Sequence, residues 1–328
     1  MTQGFMIELY PIKFLPITQY RIWGGNILNQ YVSDEFKMEN LGEIWSISGV
    51  ENNVSVVENG ALKGENLNEL IQIYQEKLVG DKVWEKFGNE FPLLIKFINA
   101  AQPLSVQVHP DDEQAKKLHN SFGKTEMWYI TQADKNAELI IGFKEGVDKN
   151  DFLNHLENET LDEILRKIPV KKGDAFYIPS GRVHAICGGI TLAEIQQTSD
   201  VTYRIYDYNR IDKDGKKRQL HTDLALDAID FNFVDHPKAQ FELIPNKFNS
   251  LINSSYFKTK IFKGSESIAF NSNDKMRIYI CTEGSSEIKT ASQEFILQAY
   301  ESILIPAELD KFEIYPNKHS VLIEVTID

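Results

Sequence analysis

The sequence predicts a mainly β fold, built as tandem jelly-roll barrels with a few helices inserted. Three observations carry that expectation. Short apolar segments rich in Ile, Val, Phe and Tyr recur along the chain and end in turn residues. They include FPLLIKFINA, SVQVHP, EMWYI, ELIIGF, DAFYIP, ITLAEIQQ, YFKTKIF, MRIYICTEG, ESILIP and SVLIEVTI. Many short strands at regular spacing suit a sandwich or jelly roll. A strand that runs into a proline also occurs twice, at Gly173–Pro179 and at Tyr300–Pro306. His184 stands five residues beyond the first proline, and Lys311 holds the same place after the second. This pattern reads as two related barrels, of which only the first keeps a metal-capable side chain.

The third observation is that helical periodicity is local. Leu67, Leu70, Ile71, Tyr74 and Leu78 recur at helical spacing and place one insertion at about 65–90. Pro110 followed by Asp111, Asp112 and Glu113 is a good helix start, placing a second at 110–121. Phe152, Leu156, Leu161, Ile164 and Leu165 mark a third at 148–167, and HTDLALDAID (221–230) a short fourth. The stretch 232–249 has few apolar runs and contains Pro237 and Pro245. A junction there divides the chain into a first domain, 1–240, and a C-terminal β domain, 241–328, without metal.

The 328 residues are enough for two cores. A hydrophobic share of 42% and a charged share of 25% are ordinary for a soluble globular protein. The net charge of −13 opposes general attraction to nucleic acid or to anionic membrane. A local basic pocket for a phosphate is still compatible with it. No stretch approaches the roughly 20 apolar residues of a membrane helix. The opening MTQGFMIELYPIKFLPITQY has no basic start, apolar run or small-residue cleavage site, and reads as mature structure. Cys187 and Cys281 are too few for a disulfide framework, which speaks for a reducing cytoplasm and for two thiols in the core.

The candidate chemistry lies in four segments. In Ser105-Val-Gln-Val-His109, strand geometry turns Gln107 and His109 to one face and Val106 and Val108 to the other. In GKTEMWY (123–129), Glu126 opens an aromatic strand. A carboxylate inside a barrel is costly unless paired or metal-bound, so Glu126 is either a ligand or a glutamate on the rim, in water. The segment from Gly173 to His184 has the spacing of the second cupin motif: Gly, five residues, Pro179, one residue, Gly181, two residues, His184. A strand, a tight turn at Pro179-Ser180-Gly181 and a returning strand direct the imidazole inward. The barrels are accordingly expected to be cupin-like. Two imidazoles, a carboxylate and an amide oxygen suit zinc, while two His and one carboxylate also suit non-haem iron. In the fourth segment, 191–210, Glu194 and Arg204 lie close to inward-facing strands. Arg204 offers a planar fork for phosphate or enediolate oxygens, or forms a surface pair with Asp207 worth little energy.

Six segments together resemble type I mannose-6-phosphate isomerase in its short bacterial form. They are RIWGG (21–25), PLLIKFINA (92–100), PLSVQVHPDD (103–112), GKTEMWY (123–129), GDAFYIPSGRVHAI (173–186) and VTYRIYDYNR (201–210). The resemblance spans roughly residues 10–230. It implies an aldose–ketose isomerase with one zinc ion per chain. His109, Glu126 and His184 match the family's ligands, with Gln107 beside them. Arg204 matches its catalytic arginine, and Lys124 a lysine of its substrate pocket. More distant eukaryotic members carry Pro where Thr125 stands, and a longer helical insert, so the phosphate-binding residues transfer less directly.

Such an isomerase moves a proton between C2 and C1 and must stabilise an enediolate. Glu194 is our expected base, with Lys124 as rival, since a lysine with pKa ~10.4 in water needs a lowered value to serve. Ser105, Lys96 and Lys124 are candidates for the phosphate end. Trp23 and Trp128 either wall the pocket or belong to the core. An iron-dependent cupin oxygenase would consume oxygen and tolerate loss of Gln107. A silent sugar-phosphate-binding cupin would bind mannose 6-phosphate without making fructose 6-phosphate, and a neighbouring aldose phosphate could replace the substrate. The expected partner is a small sugar phosphate, with no nucleic acid or membrane, and a monomer or homodimer.

Overall fold

The computed structural model describes residues 7–271 and 274–327. The first six residues of the N-terminal stretch read above lie outside the described residues. In chain order the strands are β1 (Ile17–Gly25), β2 (Leu41–Ser48), β3 (Leu93–Ala100), β4 (Val106–Val108), β5 (Glu126–Ala133), β6 (Glu138–Phe143), β7 (Leu165–Pro169), β8 (Ala175–Ile178), β9 (His184–Ile186), β10 (Ile190–Gln197) and β11 (Tyr203–Tyr206). Then follow β12 (Phe248–Asn253), β13 (Lys258–Gly264), β14 (Ile268–Asn271), β15 (Arg277–Glu283), β16 (Ser285–Lys289), β17 (Glu294–Gln298), β18 (Glu301–Ile305), β19 (Lys311–Pro316) and β20 (Ser320–Thr326). The helices are α1 (Leu67–Tyr74), α2 (Glu76–Val79), α3 (Asp81–Phe87), α4 (Asp112–His119), α5 (Lys149–Glu157) and α6 (Thr222–Ala228).

Contacts divide the chain into two compact units. One comprises Thr18–Ile44 and Ile95–Ala239. The other comprises the residues up to Ile17, Trp45–Leu94 and those from Gln240 on. Two stretches assigned by sequence to the first domain therefore group with the C-terminal strands. Backbone bridges explain it: Ile12 pairs with Leu304 and Phe14 with Val57. The amides of Ala307 and Glu308 also donate to the carbonyls of Leu78 and Lys77, tying α2 to the same unit.

The unit containing 95–239 holds two sheets, ordered β1-β2-β3-β10-β5-β8 and β11-β4-β9-β6-β7. Trp23, Ile98, Trp128, Ile130 and Leu192 of the first sheet meet Leu139, Ile141 and Ile186 of the second in one apolar cluster. The outer face of the second sheet packs Val106, Val108, Ile140 and Ala185 against Phe152 of α5 and Ala225 of α6. That cover fixes which way β4 and β9 turn their other residues. Phe152 is fully buried and stacks edge-on with Phe143 and Phe231. Phe152→Ala is expected to cost about 3–5 kcal/mol, read as a lowered urea midpoint. A loss below about 1 kcal/mol would show that α5 is not anchored there.

The other unit repeats the two-sheet plan, with orders β12-β13-β20-β15-β18 and β14-β19-β16-β17. Phe262, Tyr279, Cys281, Ile288, Ile303, Phe312 and Leu322 fill its core. The two strand-then-proline segments are β8 and β18, and the strands that follow open on His184 and Lys311. His184 is buried and Lys311 exposed, so the equivalent positions meet opposite environments.

The structure departs from the sequence reading in places. The expected helix at 148–167 stops early. Asp148 caps α5 with a capping box, Asn158 closes it, and Glu159 takes a left-handed φ of 58°. A short helical turn at Leu161–Glu163 follows, and Leu165–Pro169 becomes β7, pairing antiparallel with β6. Cys281 is buried as expected, but Cys187 is only partly so. β1 and β2 are strands that the sequence pattern does not mark, and β2 is buried along its full length. Burial on both faces removes the alternation that marks a strand in sequence.

A candidate metal centre

Three neighbouring strands build one side of the site. β4 is flanked by β11 and β9, with Arg204 paired to Gln107 and Gln107 paired to His184. Directly paired residues of antiparallel strands share a face. Val106 and Val108 are spent on the outer cluster, so Arg204, Gln107 and His184 form a row on the opposite, inner face. Gln107 Nε2 lies 3.2 Å from His184 Nε2.

The turn before His184 depends on Gly181, whose φ is +82° and whose added Cβ would come within 3.0 Å of the Ala228 carbonyl. Its amide donates to the His109 carbonyl at 2.9 Å, which links the two histidine segments. Gly123 does similar work before Glu126. An added Cβ there would reach 2.6 Å from the Asp112 amide nitrogen, so only glycine lets this loop close onto the start of α4.

Each imidazole is oriented by a main-chain carbonyl. His184 Nδ1 lies 2.8 Å from Arg182 O, and His109 Nδ1 3.0 Å from Val201 O. A carbonyl only accepts, so each Nδ1 carries the proton and each Nε2 presents a lone pair. Both rings are fully buried, 4.8 Å apart between centroids. Glu126, predicted as ligand or rim residue, is 1% exposed, which removes the rim reading. Its Oε1 is 3.3 Å from His109 Nε2, and its Oε2 is 3.8 Å from His184 Nε2. One donor atom from each of His109, Glu126 and His184 falls within 4.8 Å of the others. Lys124 Nζ is seated among them, 2.6 Å from Glu126 Oε1 and 3.1 Å from His109 Nε2.

The electrostatics follow from that packing. Burial, then the Lys124 charge, push His109 down to about 3, and burial likewise lowers His184. Burial alone would raise Glu126, but Lys124 and the two imidazoles hold it well below the usual carboxylate range. For Lys124 burial would lower the pKa, and the Glu126 and Glu194 carboxylates outweigh it and raise it. The constellation therefore presents neutral imidazoles and an ionised carboxylate, as a cation requires. Among the described residues, neither Glu126 oxygen accepts a hydrogen bond of acceptable geometry. Two aimed lone pairs and a buried, ionised carboxylate, paired with the Lys124 ammonium, fit a divalent metal ion.

The remaining candidates lie as follows. Glu194 pairs in register with Trp128 on β5, and its Oε2 accepts from Trp128 Nε1 at 2.8 Å. Lys96 Nζ stands 3.1 Å from Glu194 Oε1. Burial, then the Glu126 charge, raise the Glu194 pKa against the opposing pull of Lys96 and Lys124. Ser105 Oγ donates to Gln107 Oε1 at 3.4 Å. Trp23 is 3% exposed within the apolar cluster, so it serves the core. Arg204 Nη1 donates to Gln219 O at 2.8 Å, while its buried Nε has no partner. Its pKa is lowered chiefly by burial and then by Arg218. The surface pair of Arg204 with Asp207 is not what forms, because Asp207 binds Arg210 and Arg218.

Sequence reasoning missed one charged pair of this interior. Arg21 donates to both oxygens of Glu43, at 2.9 and 3.0 Å, and Glu43 adds to the field on Lys124. The available signal was a carboxylate inside LGEIWSIS, a strand that is otherwise apolar or small.

Residues 12–157 match the family described as phosphomannose isomerase type I, catalytic domain. Mannose-6-phosphate isomerase ManA of Bacillus subtilis (strain 168) is 36% identical over 307 residues, 93% of this chain and 95% of the relative. The mannose-6-phosphate isomerase of Streptococcus mutans serotype c is 35% identical over 294 residues, 89% of this chain and 91% of the relative. The crystal structure of the mannose 6-phosphate isomerase from Bacillus subtilis superposes with a TM-score of 0.87 at 31% identity, covering 96% of this chain and 99% of that one. The expected mainly β, cupin-like fold is thereby borne out. With a third of its residues shared over nearly its whole length, the chain belongs to the type I mannose-6-phosphate isomerase family.

Proposed function

We propose that the protein interconverts mannose 6-phosphate and fructose 6-phosphate, with one zinc ion held by His109, Glu126, His184 and Gln107. One observation carries the reading: two carbonyl-anchored imidazoles and a buried, ionised carboxylate lie within 4.8 Å of one another, and one of the imidazoles, His184, stands in a row with Gln107 and Arg204. Two nitrogens and a carboxylate suit zinc by donor type, and Gln107, whose Nε2 faces His184 Nε2, would add its amide oxygen by a flip of the amide. Bound there, a divalent ion supplies Lewis-acid charge that polarises and holds substrate oxygens.

The chain's own groups perform the proton transfer. A base takes the C2 proton of the open-chain aldose, and the electron pair moves through C1 onto O1 as the enediolate forms. The proton returns to C1, while the O2 proton moves to O1. No redox partner is needed. Glu194 is our base: it is buried, its pKa is raised, and Lys96 and Trp128 fix its position. Lys124, the rival for this role, would need a lowered pKa, and the Glu126 and Glu194 carboxylates raise it instead, which leaves Lys124 a charged donor. Arg204 steadies the negative charge on the enediolate oxygens, and its unpartnered Nε leaves it a donor to give. Of the candidates for the phosphate end, Lys96 lies against Glu194 and Lys124 against Glu126 and His109, so we assign both to the reacting carbons and leave Ser105 for the phosphate.

The whole constellation comes from one chain, so neither a monomer nor a homodimer needs a partner's residue. We place the enzyme in the cytoplasm. Among the described residues, no helix is long and apolar enough to cross a membrane. The test is a coupled assay that follows fructose 6-phosphate from mannose 6-phosphate with and without chelator. Turnover is expected to vanish with chelator and return with zinc. An unchanged rate after complete metal removal would end the metal reading. Binding without product would make the protein a silent sugar-phosphate binder.

A further inference from the structure

We infer that His221 is a positioning residue for Arg204, holding the arginine's main chain from the open edge of its sheet. The inference rests on the isomerase reading above. β11 is the outermost strand of its sheet, and an edge strand has one row of unpaired amides and carbonyls. At Arg204 that row is taken by a single residue. The Arg204 amide donates to His221 Nδ1 at 3.2 Å, and the His221 amide donates to the Arg204 carbonyl at 2.7 Å.

Both main-chain groups of Arg204 thus point away from β4. The Arg204–Gln107 pair is therefore of the non-hydrogen-bonded kind, in which Cα atoms come to about 4.5 Å and side chains crowd closest. Toward β4 the nearest neighbouring pairing is that of Tyr203 with Val108, and the register shifts between Arg204 and Tyr206, so the ladder holds Arg204 from one side only. His221 supplies the missing constraint, and Gln219, two residues before it, takes the guanidinium.

His221 is itself held. Its carbonyl accepts from the Ala225 amide at 2.9 Å at the start of α6. Ala225 is fully buried in the outer cluster, against the strand residues Val106, Val108 and Tyr203. Burial, then the Arg204 and His119 charges, keep the imidazole below its usual pKa, so Nδ1 stays an acceptor. The result is a chain of fixed contacts from packed helix to histidine to the peptide that carries the arginine.

The test compares five variants of the full-length, zinc-loaded protein: three at His221, Arg204→Ala, and the Arg204→Ala/His221→Ala double variant. His221→Ala is expected to lower kcat about 10-fold or more while KM changes less than about 3-fold, because a displaced group loses mainly transition-state contact. Bound zinc should stay at the parental level. His221→Asn, whose Oδ1 can accept from the Arg204 amide, should recover most of kcat, whereas His221→Leu should not. In an Arg204→Ala background, His221→Ala should cost nothing further, since the two act as one unit. If the alanine variant does not fold, the Asn and Leu variants decide. A parental kcat in His221→Ala or His221→Leu, or a full additional loss in the Arg204→Ala background, overturns the inference. Failure of the parental protein to isomerise would instead fell the isomerase reading, and this inference with it.

Discussion

His184→Ala is expected to yield a folded protein without stoichiometric divalent metal and with turnover reduced by roughly 10³-fold or more. The metal loss follows from geometry. His184 supplies one of only two imidazole lone pairs in the cluster, and Gln107 and Glu126 lie 3.2 and 3.8 Å from that same Nε2. Removing it takes a donor from the centre, and the Trp128 ring that packs edge-on against it at 5.3 Å has no lone pair to offer in its place. The fold should survive. Opening a buried site and stranding the Gln107 amide costs about 1–3 kcal/mol, against a typical total of about 5–15 kcal/mol. Metal analysis, thermal melting and the coupled assay check the three parts separately. A variant that keeps its zinc and turns over normally would remove His184 from the ligand set.

Arg204→Ala separates chemistry from metal binding. We expect kcat to fall by roughly 10²–10³-fold, the usual effect of losing a donor to a developing oxyanion, with metal content unchanged. The reasoning lies in the row formed by Arg204, Gln107 and His184, in which the arginine is one strand removed from the histidine. The side chain is half-buried, and its buried Nε lacks a hydrogen bond among the described residues, which is costly unless it serves a transient partner. Arg204→Lys should restore little, since an ammonium does not reproduce the planar fork. Unchanged turnover in Arg204→Ala would return the residue to a structural role.

Much of this was readable in the sequence because local geometry is set by spacing. Gln107 and His109 share a face through the two-residue period of a strand. The turn at Pro179–Gly181 sets the direction of His184 before any tertiary contact is considered. The repeat of β8 in β18 was visible for the same reason. Other parts depended on partners distant in sequence. β2 reads poorly as a strand because it is buried on both faces. The run from Phe152 to Leu165 suggested one helix until the left-handed turn at Glu159 and pairing with β6 gave its end to a strand. The Arg21–Glu43 pair, the Lys96–Glu194 pair and the His221 contact each join residues from separate elements. No spacing rule brings such residues together: sheet order decides the first two, and the packing of α6 on the second sheet decides the third.

The two imidazoles lean on the peptide carbonyls of Val201 and Arg182 rather than on carboxylate side chains. A supporting Asp or Glu can be erased by one codon, whereas a peptide group persists whatever side chain stands there. The ring orientations are therefore inherited from the path of the chain and are insulated from most point substitutions around them. Random mutagenesis of that surrounding layer should damage the centre mainly through changes that redirect the backbone, with Gly181 the most exposed target. The tautomers of this site are, in that sense, genetically robust.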